Sequence, residues 1–235
     1  MKIQSMFSAI GVVVLFFAVA NPAHAGTVSG KASFSGTAPA VQEIDMNADP
    51  TCAGLHSETV TTEDVVVNAN GTLKNVFVYV KQGLEGKTFE PPATSVKMDQ
   101  NGCQYHPHVF GVQVNQPFEI INSDSTLHNV HGMPTQSKEF NLGMPIQGMK
   151  LTRKFDKPEV MVKFKCDVHP WMNAYAGVLP HPFFGVTNEE GVFEIKDLPA
   201  GQYVVEAWHE KFGVQTQNIT IDEAGVQTAD FAFAG

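Results

Sequence analysis

Apolar and polar positions alternate in short runs along most of the chain. Val28 to Phe34, Asp64 to Val67, Asn75 to Val80, His108 to Val114, Phe118 to Ile121, Val160 to Lys165, Gly191 to Ile195, Gln202 to Trp208 and Gln217 to Ile221 all carry this pattern. A period of two puts alternate side chains on opposite faces of a strand. Asn70-Gly71, Pro91-Pro92, Asn101-Gly102 and Pro199-Ala200-Gly201 punctuate the runs with turn residues. Many short strands separated by such signals predict an all-β protein, a sandwich or a barrel. No strong helical period is present. The stretch 137–152, SKEFNLGMPIQGMKLT, reads as a long connection with room for one turn.

The start of the chain does not fit this pattern. MKIQSMFSAIGVVVLFFAVANPAHA has one lysine, an apolar run from Ile10 to Ala20, and Ala23-His24-Ala25. Those are the parts of a secretory signal peptide, with cleavage expected after Ala25. The run is shorter than the about 20 residues of a membrane span, and no later segment is long enough for one. An exported protein is expected, periplasmic in a Gram-negative source, with no membrane insertion after the signal is removed. The formal charge is −9, and −10 once Lys2 is gone. That acidity argues against nucleic acid and against anionic membranes, and favours a basic partner. Export permits disulfides. Of three cysteines, Cys52 and Cys103 can pair, which leaves Cys166.

Three parts follow the signal (1–25): an N-terminal β region at 26–92, a segment at 93–181 that holds the metal-like chemistry, and a β region at 182–235. In the last, GVTNEEGVFEIKDLPAGQYVVEAWH resembles a carboxypeptidase regulatory-like domain, a small transthyretin-like β-sandwich. The opening GTVSGKASFSG resembles the first strand of the same kind of domain. The likeness implies a sandwich that either follows the middle segment or is split by it.

The chemistry centres on FKCDVHPWMNAYAGV, where Cys166, His169 and Met172 are spaced C-x-x-H-x-x-M. A thiolate, an imidazole and a thioether are soft to borderline donors, which select copper over magnesium, calcium or manganese. Zinc on Cys-His-His is the competitor. A second imidazole is available in INSDSTLHNVHG. His128 and His131 are three apart, so on a regular strand they face opposite sides. His128, which Asn129 follows, is the better candidate.

Together these segments resemble the cupredoxins, the blue copper proteins, over about 90 residues. That family takes one histidine from N-x-D-x-x-x-H-N, here Asn122, Asp124, His128 and Asn129, and the other ligands from one Cys-x-x-His-x-x-Met loop. The loop is similar to that of the amicyanin subgroup, with Val168 and Trp171 where the subgroup has proline and phenylalanine. The resemblance implies a Greek-key cupredoxin sandwich, joined to or inserted in the transthyretin-like one. It implies one mononuclear type 1 copper held by His128, Cys166, His169 and Met172, with Met172 axial. It also implies backbone N–H groups on the sulfur, that of Asn129 among them, with Val168 able to add another. The implied function is one-electron transfer between a redox donor and acceptor.

Weaker candidates are His108 and, less so, His106 and His131. Met133, Met144 and Met149 could line a copper approach, and His209 could reach the site. Trp171 should pack beside His169. Pro170, Trp171, Pro180, Pro182, Phe183 and Phe184 could form an apolar docking patch, unless the second domain covers it. A copper carrier or buffer, and an open copper site taking an exogenous ligand, are the alternatives. No signature of a hydrolase, zinc protease or phosphate-binding loop is present.

Overall fold

The computed structural model describes residues 25–222 and 225–235. The signal-like segment therefore lies, apart from Ala25, outside the described residues. Among the described residues no helix is long and apolar enough to cross a membrane. The described residues are nearly all β, as expected, with four sheets and one short helix, Pro50–Gly54, among them.

Two of the sheets enclose one core. A five-stranded sheet runs in the order Val109–Gln113, Asn173–Leu179, Glu159–Lys165, His128–Met133, Phe140–Met144. A four-stranded sheet runs Gln104–His106, Val96–Asn101, Phe118–Asn122, Lys150–Arg153. Val96–Asn101 pairs in parallel with Phe118–Asn122, and Val109–Gln113 with Asn173–Leu179. Alternation explains which residues face inward. Phe118, Ile120 and Asn122 are buried in turn along one strand, and Val162, Phe164 and Cys166 along another. Phe110, Phe118, Phe155 and Phe164 pack as a ring cluster below the site, with centroids 5.4–6.3 Å apart in contacting pairs.

The other two sheets share a second core built from both ends of the chain. Ala25–Ser35 lies between Val192–Pro199, antiparallel, and the parallel strands Val226–Thr228 and Phe231–Ala234. Phe77–Gln82 lies between Phe184–Val186 and Gly201–His209, which pairs in turn with Gly213–Ile221. Val28, Leu73 and Val78 thus pack with Phe193, Val205 and Phe231. The segment between these N-terminal strands goes elsewhere. Met46 and Cys52 are buried in the first core, with Ile44, Ala53 and Val60 packed against it. Residues 26–92 therefore serve both sandwiches.

The two sandwiches meet on a pair of glycines. Gly111 and Gly177 are register partners in the five-stranded sheet. A Cβ at Gly177 would lie 2.2 Å from the Phe77 ring, and one at Gly111 would lie 2.2 Å from the Phe184 ring. Missing side chains leave a flat patch where those two stacked rings lie. His108 and Glu210, both buried, add a 2.5 Å contact between the sandwiches.

Several expectations need correction. The stretch 137–152 is not a mere connection: it holds the strands Phe140–Met144 and Lys150–Arg153. The run 64–67 forms only an isolated bridge, Val67 to Leu73. Phe183 is buried in the second core and Phe184 packs in the contact between the sandwiches, so neither contributes to an exposed patch.

Candidate metal centre

His128, Cys166 and His169 converge at one end of the first sandwich. One donor atom from each lies within 4.8 Å of the others, and all three residues are at most 2% exposed. His128 opens its strand and points inward in phase with Val130, which is fully buried. Cys166 continues the inward series of Val162 and Phe164. His169 comes from the tight loop that follows. Cys166 N–H donates to Met172 O at 3.1 Å, and Met172 N–H donates to His169 O at 3.0 Å, which closes the loop. Met172 is 1% exposed and belongs to the same core.

The imidazoles are held from behind. Nδ1 of His128 and Nδ1 of His169 are 2.9 Å apart. The opposite nitrogen of each faces a carboxylate: His128 Nε2 is 2.9 Å from Asp124 Oδ2, and His169 Nε2 is 3.0 Å from Asp49 Oδ2. An Nε2–H donated to a carboxylate leaves the Nδ1 lone pair for a metal. Asp124 is fixed in turn. Gly102 and Cys103, with φ of 64° and 53°, aim their backbone N–H groups at its two oxygens, each at 2.8 Å. Burial disfavours the charge on His128, but Asp124 and Cys166 outweigh it and raise the imidazolium pKa to about 9.

The sulfur sits among donors. His169 N–H donates to Cys166 Sγ at 3.3 Å. Burial pushes the Cys166 thiol up, yet His128 and the backbone N–H groups of Asn129, His169 and Val168 bring it below its ordinary value. Asn129 anchors the start of the loop through one atom: its Oδ1 accepts from Asp167 N–H at 2.7 Å and Val168 N–H at 3.3 Å, and lies 3.3 Å from Cys166 Sγ. Val168 N–H is thus shared with the Asn129 side chain rather than given wholly to the sulfur.

The other candidates lie elsewhere. His131 points to the surface side of its strand, between Glu139 at 2.6 Å and Asp167 at 3.2 Å. His108 is buried against Glu210 and Asn173 O. His106 is exposed, and His209 stacks on Phe212 at 4.6 Å in the second sandwich. Met144 is the ladder partner of His128, but its sulfur accepts from Gln100 Nε2 at 3.0 Å. Trp171 lies against His169, centroids 5.1 Å apart, and its indole N–H donates to Cys103 O at 2.9 Å. Cys52 and Cys103 form a disulfide, and Cys166 is the free cysteine.

Asp49 is the residue that sequence reasoning missed. It lies 120 positions from His169, and no motif joins the two. The only local signal was Asp49-Pro50, a helix N-cap followed by proline at the first helical position. Its carboxyl is held down to about 2, chiefly by the hydrogen bond with His169. Asp49 and Cys52 also cover the Nε2 edge of His169, at 3.0 and 3.5 Å. That cover comes from the segment around residues 44–60, not from the second sandwich.

The donor set fits a soft metal: one sulfur with a lowered pKa and two imidazole nitrogens, turned inward and buried, with the carboxylates behind the rings. The architecture is all-β, with a β-sandwich that carries a candidate metal centre. No protein-family model matches the chain, and no curated protein matches it. Among solved structures, it is similar to the copper-containing nitrite reductase NirK from Thermus scotoductus SA-01, at 22% identity and TM-score 0.34, over 40% of this chain and 24% of that one. A purple cupredoxin from Nitrosopumilus maritimus is 20% identical, TM-score 0.31, over 35% of this chain and 98% of that one. The reduced state of an amicyanin mutant is 20% identical, TM-score 0.33, over 43% of this chain and 97% of that one. The matched part thus spans about a quarter of the reductase, and nearly all of each small cupredoxin.

Proposed function

We propose that this is an exported type 1 copper protein that carries single electrons between redox partners. His128, Cys166, His169 and Met172 would hold the ion. When bound, copper would supply a Cu(I)/Cu(II) couple. The chain's own part is to keep the donors still. Carboxylates orient both imidazoles, Asn129 fixes the loop, and the phenylalanine cluster beneath resists movement, which limits reorganisation as charge changes. The observation that carries the reading is the convergence of a low-pKa thiol and two Nδ1 atoms in a buried pocket. Burial of all four residues disfavours the open-site alternative, since little room is left for an exogenous ligand. A copper carrier would share the ligands but would release the ion readily to an acceptor.

The carboxypeptidase regulatory-like character of residues 182–235, the division at 92/93 and 181/182, and periplasmic export belong to the same proposal. Donor and acceptor would be redox proteins, and the net acidity favours basic ones. Voltammetry tests the reading: a reversible one-electron wave with fast self-exchange supports a carrier of electrons, while irreversible loss of copper to a chelating acceptor would replace it with copper handling.

A further inference from the structure

A helix cap facing solvent needs only backbone partners. Asp49 has more. Its Oδ1 accepts from Thr51 N–H at 2.8 Å and Cys52 N–H at 3.3 Å. Its Oδ2 accepts from Thr126 Oγ1 at 3.1 Å and faces His169 Nε2 at 3.0 Å. Both oxygens are engaged, so the carboxylate cannot swing away from the imidazole. The backbone beneath it is pinned as well, because Cys52 is bonded to Cys103, whose own N–H holds Asp124 behind His128. One disulfide therefore joins two of the backbone amides that fix the two carboxylates. His169 is left 2% exposed, with Cys52 Sγ 3.5 Å from Nε2.

We propose that Asp49 is a positioning residue for His169. Through its Oδ2 it holds the imidazole proton on Nε2, presents Nδ1 to the metal, and shuts the outer edge of the ring away from solvent and partners. The proposal rests on the copper reading for its consequences, but not for its geometry. A fixed negative charge behind the ligand favours the more positive oxidation state. An electron leaving the site must also take a route other than the outer edge of His169.

The test is nitrogen-15 NMR of the histidine rings in the metal-free protein, followed by Cu(II) and Cu(I) affinities, for wild type, Asp49→Asn and Asp49→Ser. Serine still caps a helix but is too short to reach His169. Asparagine keeps the cap with its one oxygen, loses the charge, and turns an NH2 donor toward His169 Nε2 in place of the acceptor. Wild type should show His169 protonated at Nε2 with slow exchange. Asp49→Ser should lose that signature while staying folded, and bind Cu(II) about 10- to 100-fold more weakly. Asp49→Asn should move the His169 proton to Nδ1 and weaken Cu(II) binding more than Cu(I) binding, shifting the Cu(II)-to-Cu(I) affinity ratio about tenfold toward Cu(I), about 59 mV for one electron. An Nδ1 proton in wild type, or an Asp49→Ser tautomer identical to wild type, would overturn the assignment. If the tautomers behave as stated and no thiolate–copper species forms, Asp49 keeps its positioning role and the copper reading is what fails.

Discussion

Replacing both disulfide cysteines by alanine should weaken the first sandwich severely. The bond joins residues 51 apart in sequence, and the chain-entropy account assigns a loop of that length about 4 kcal/mol. Both cysteines are fully buried, so each lost sulfur adds a small void, on the order of 1 kcal/mol per site. A total of about 4–6 kcal/mol is a large share of the roughly 5–15 kcal/mol typical of a folded domain. Urea unfolding followed by tryptophan fluorescence measures it. The two tryptophans sit in different sandwiches, so a Trp208→Phe background leaves Trp171 to report on the metal side. The double variant should unfold at much lower urea, and should also bind copper more weakly because Cys52 and Cys103 anchor Asp49 and Asp124. A loss below about 1 kcal/mol would refute the reasoning, since it would mean that the segment around residues 44–60 is held without the cross-link.

Other outcomes follow from single contacts. Asn129→Ala strips two loop N–H groups of their shared acceptor, at about 1–3 kcal/mol, and should lower copper affinity, whereas His131→Ala should leave that affinity unchanged; equal effects in a competition titration would contradict both assignments. Val168→Pro removes an N–H beside the sulfur and should lower the reduction potential, and an equal or higher potential would count against that role. Gly177→Val drives a side chain into the Phe77 ring and should cost about 1–3 kcal/mol, read as a lower melting temperature. His209 is buried and neutral: burial lowers its pKa from 6.5 to about 4, and its Nδ1 accepts from Lys211 N–H. Its contribution is present above pH 6.5 and is lost as pH falls toward 4, by about 3 kcal/mol at about 1.4 kcal/mol per pKa unit. His209→Gln should lose correspondingly less stability over that window, and parallel pH profiles for the two proteins would contradict the assignment.

Much of this was visible in the alternation of the chain. The rule that positions three apart face opposite sides separated His128 from His131, and Asn129 after His128 chose between them; both lie on one regular strand, His128–Met133, with His128 buried and His131 toward the surface. Cys166 was legible from its spacing to His169 and Met172, and the structure sets it at the next inward position after Val162 and Phe164. The candidate loop could be recognised because Cys166, His169 and Met172 are close in sequence. What could not be read depends on contacts distant in sequence. The strand Phe140–Met144 contains Gly143 and is followed by a proline, and only pairing to His128–Met133 makes it a strand. The short helix at Pro50–Gly54 is too brief to show a period. Its role comes from Asp49 meeting His169, which tertiary packing alone brings about. The pairing of Ala25–Ser35 with Val192–Pro199 and Phe231–Ala234 joins the two ends of the chain; local pattern carries no information about such partners, and only the likeness of GTVSGKASFSG to the C-terminal region offered a split sandwich as one alternative.

The most direct test of the central claim is the visible absorption and EPR spectrum of the protein loaded with Cu(II). The account predicts an intense thiolate-to-copper band toward the red and a narrow copper hyperfine splitting, both abolished by Cys166→Ser. A pale spectrum with ordinary tetragonal parameters, unchanged in Cys166→Ser, would contradict it.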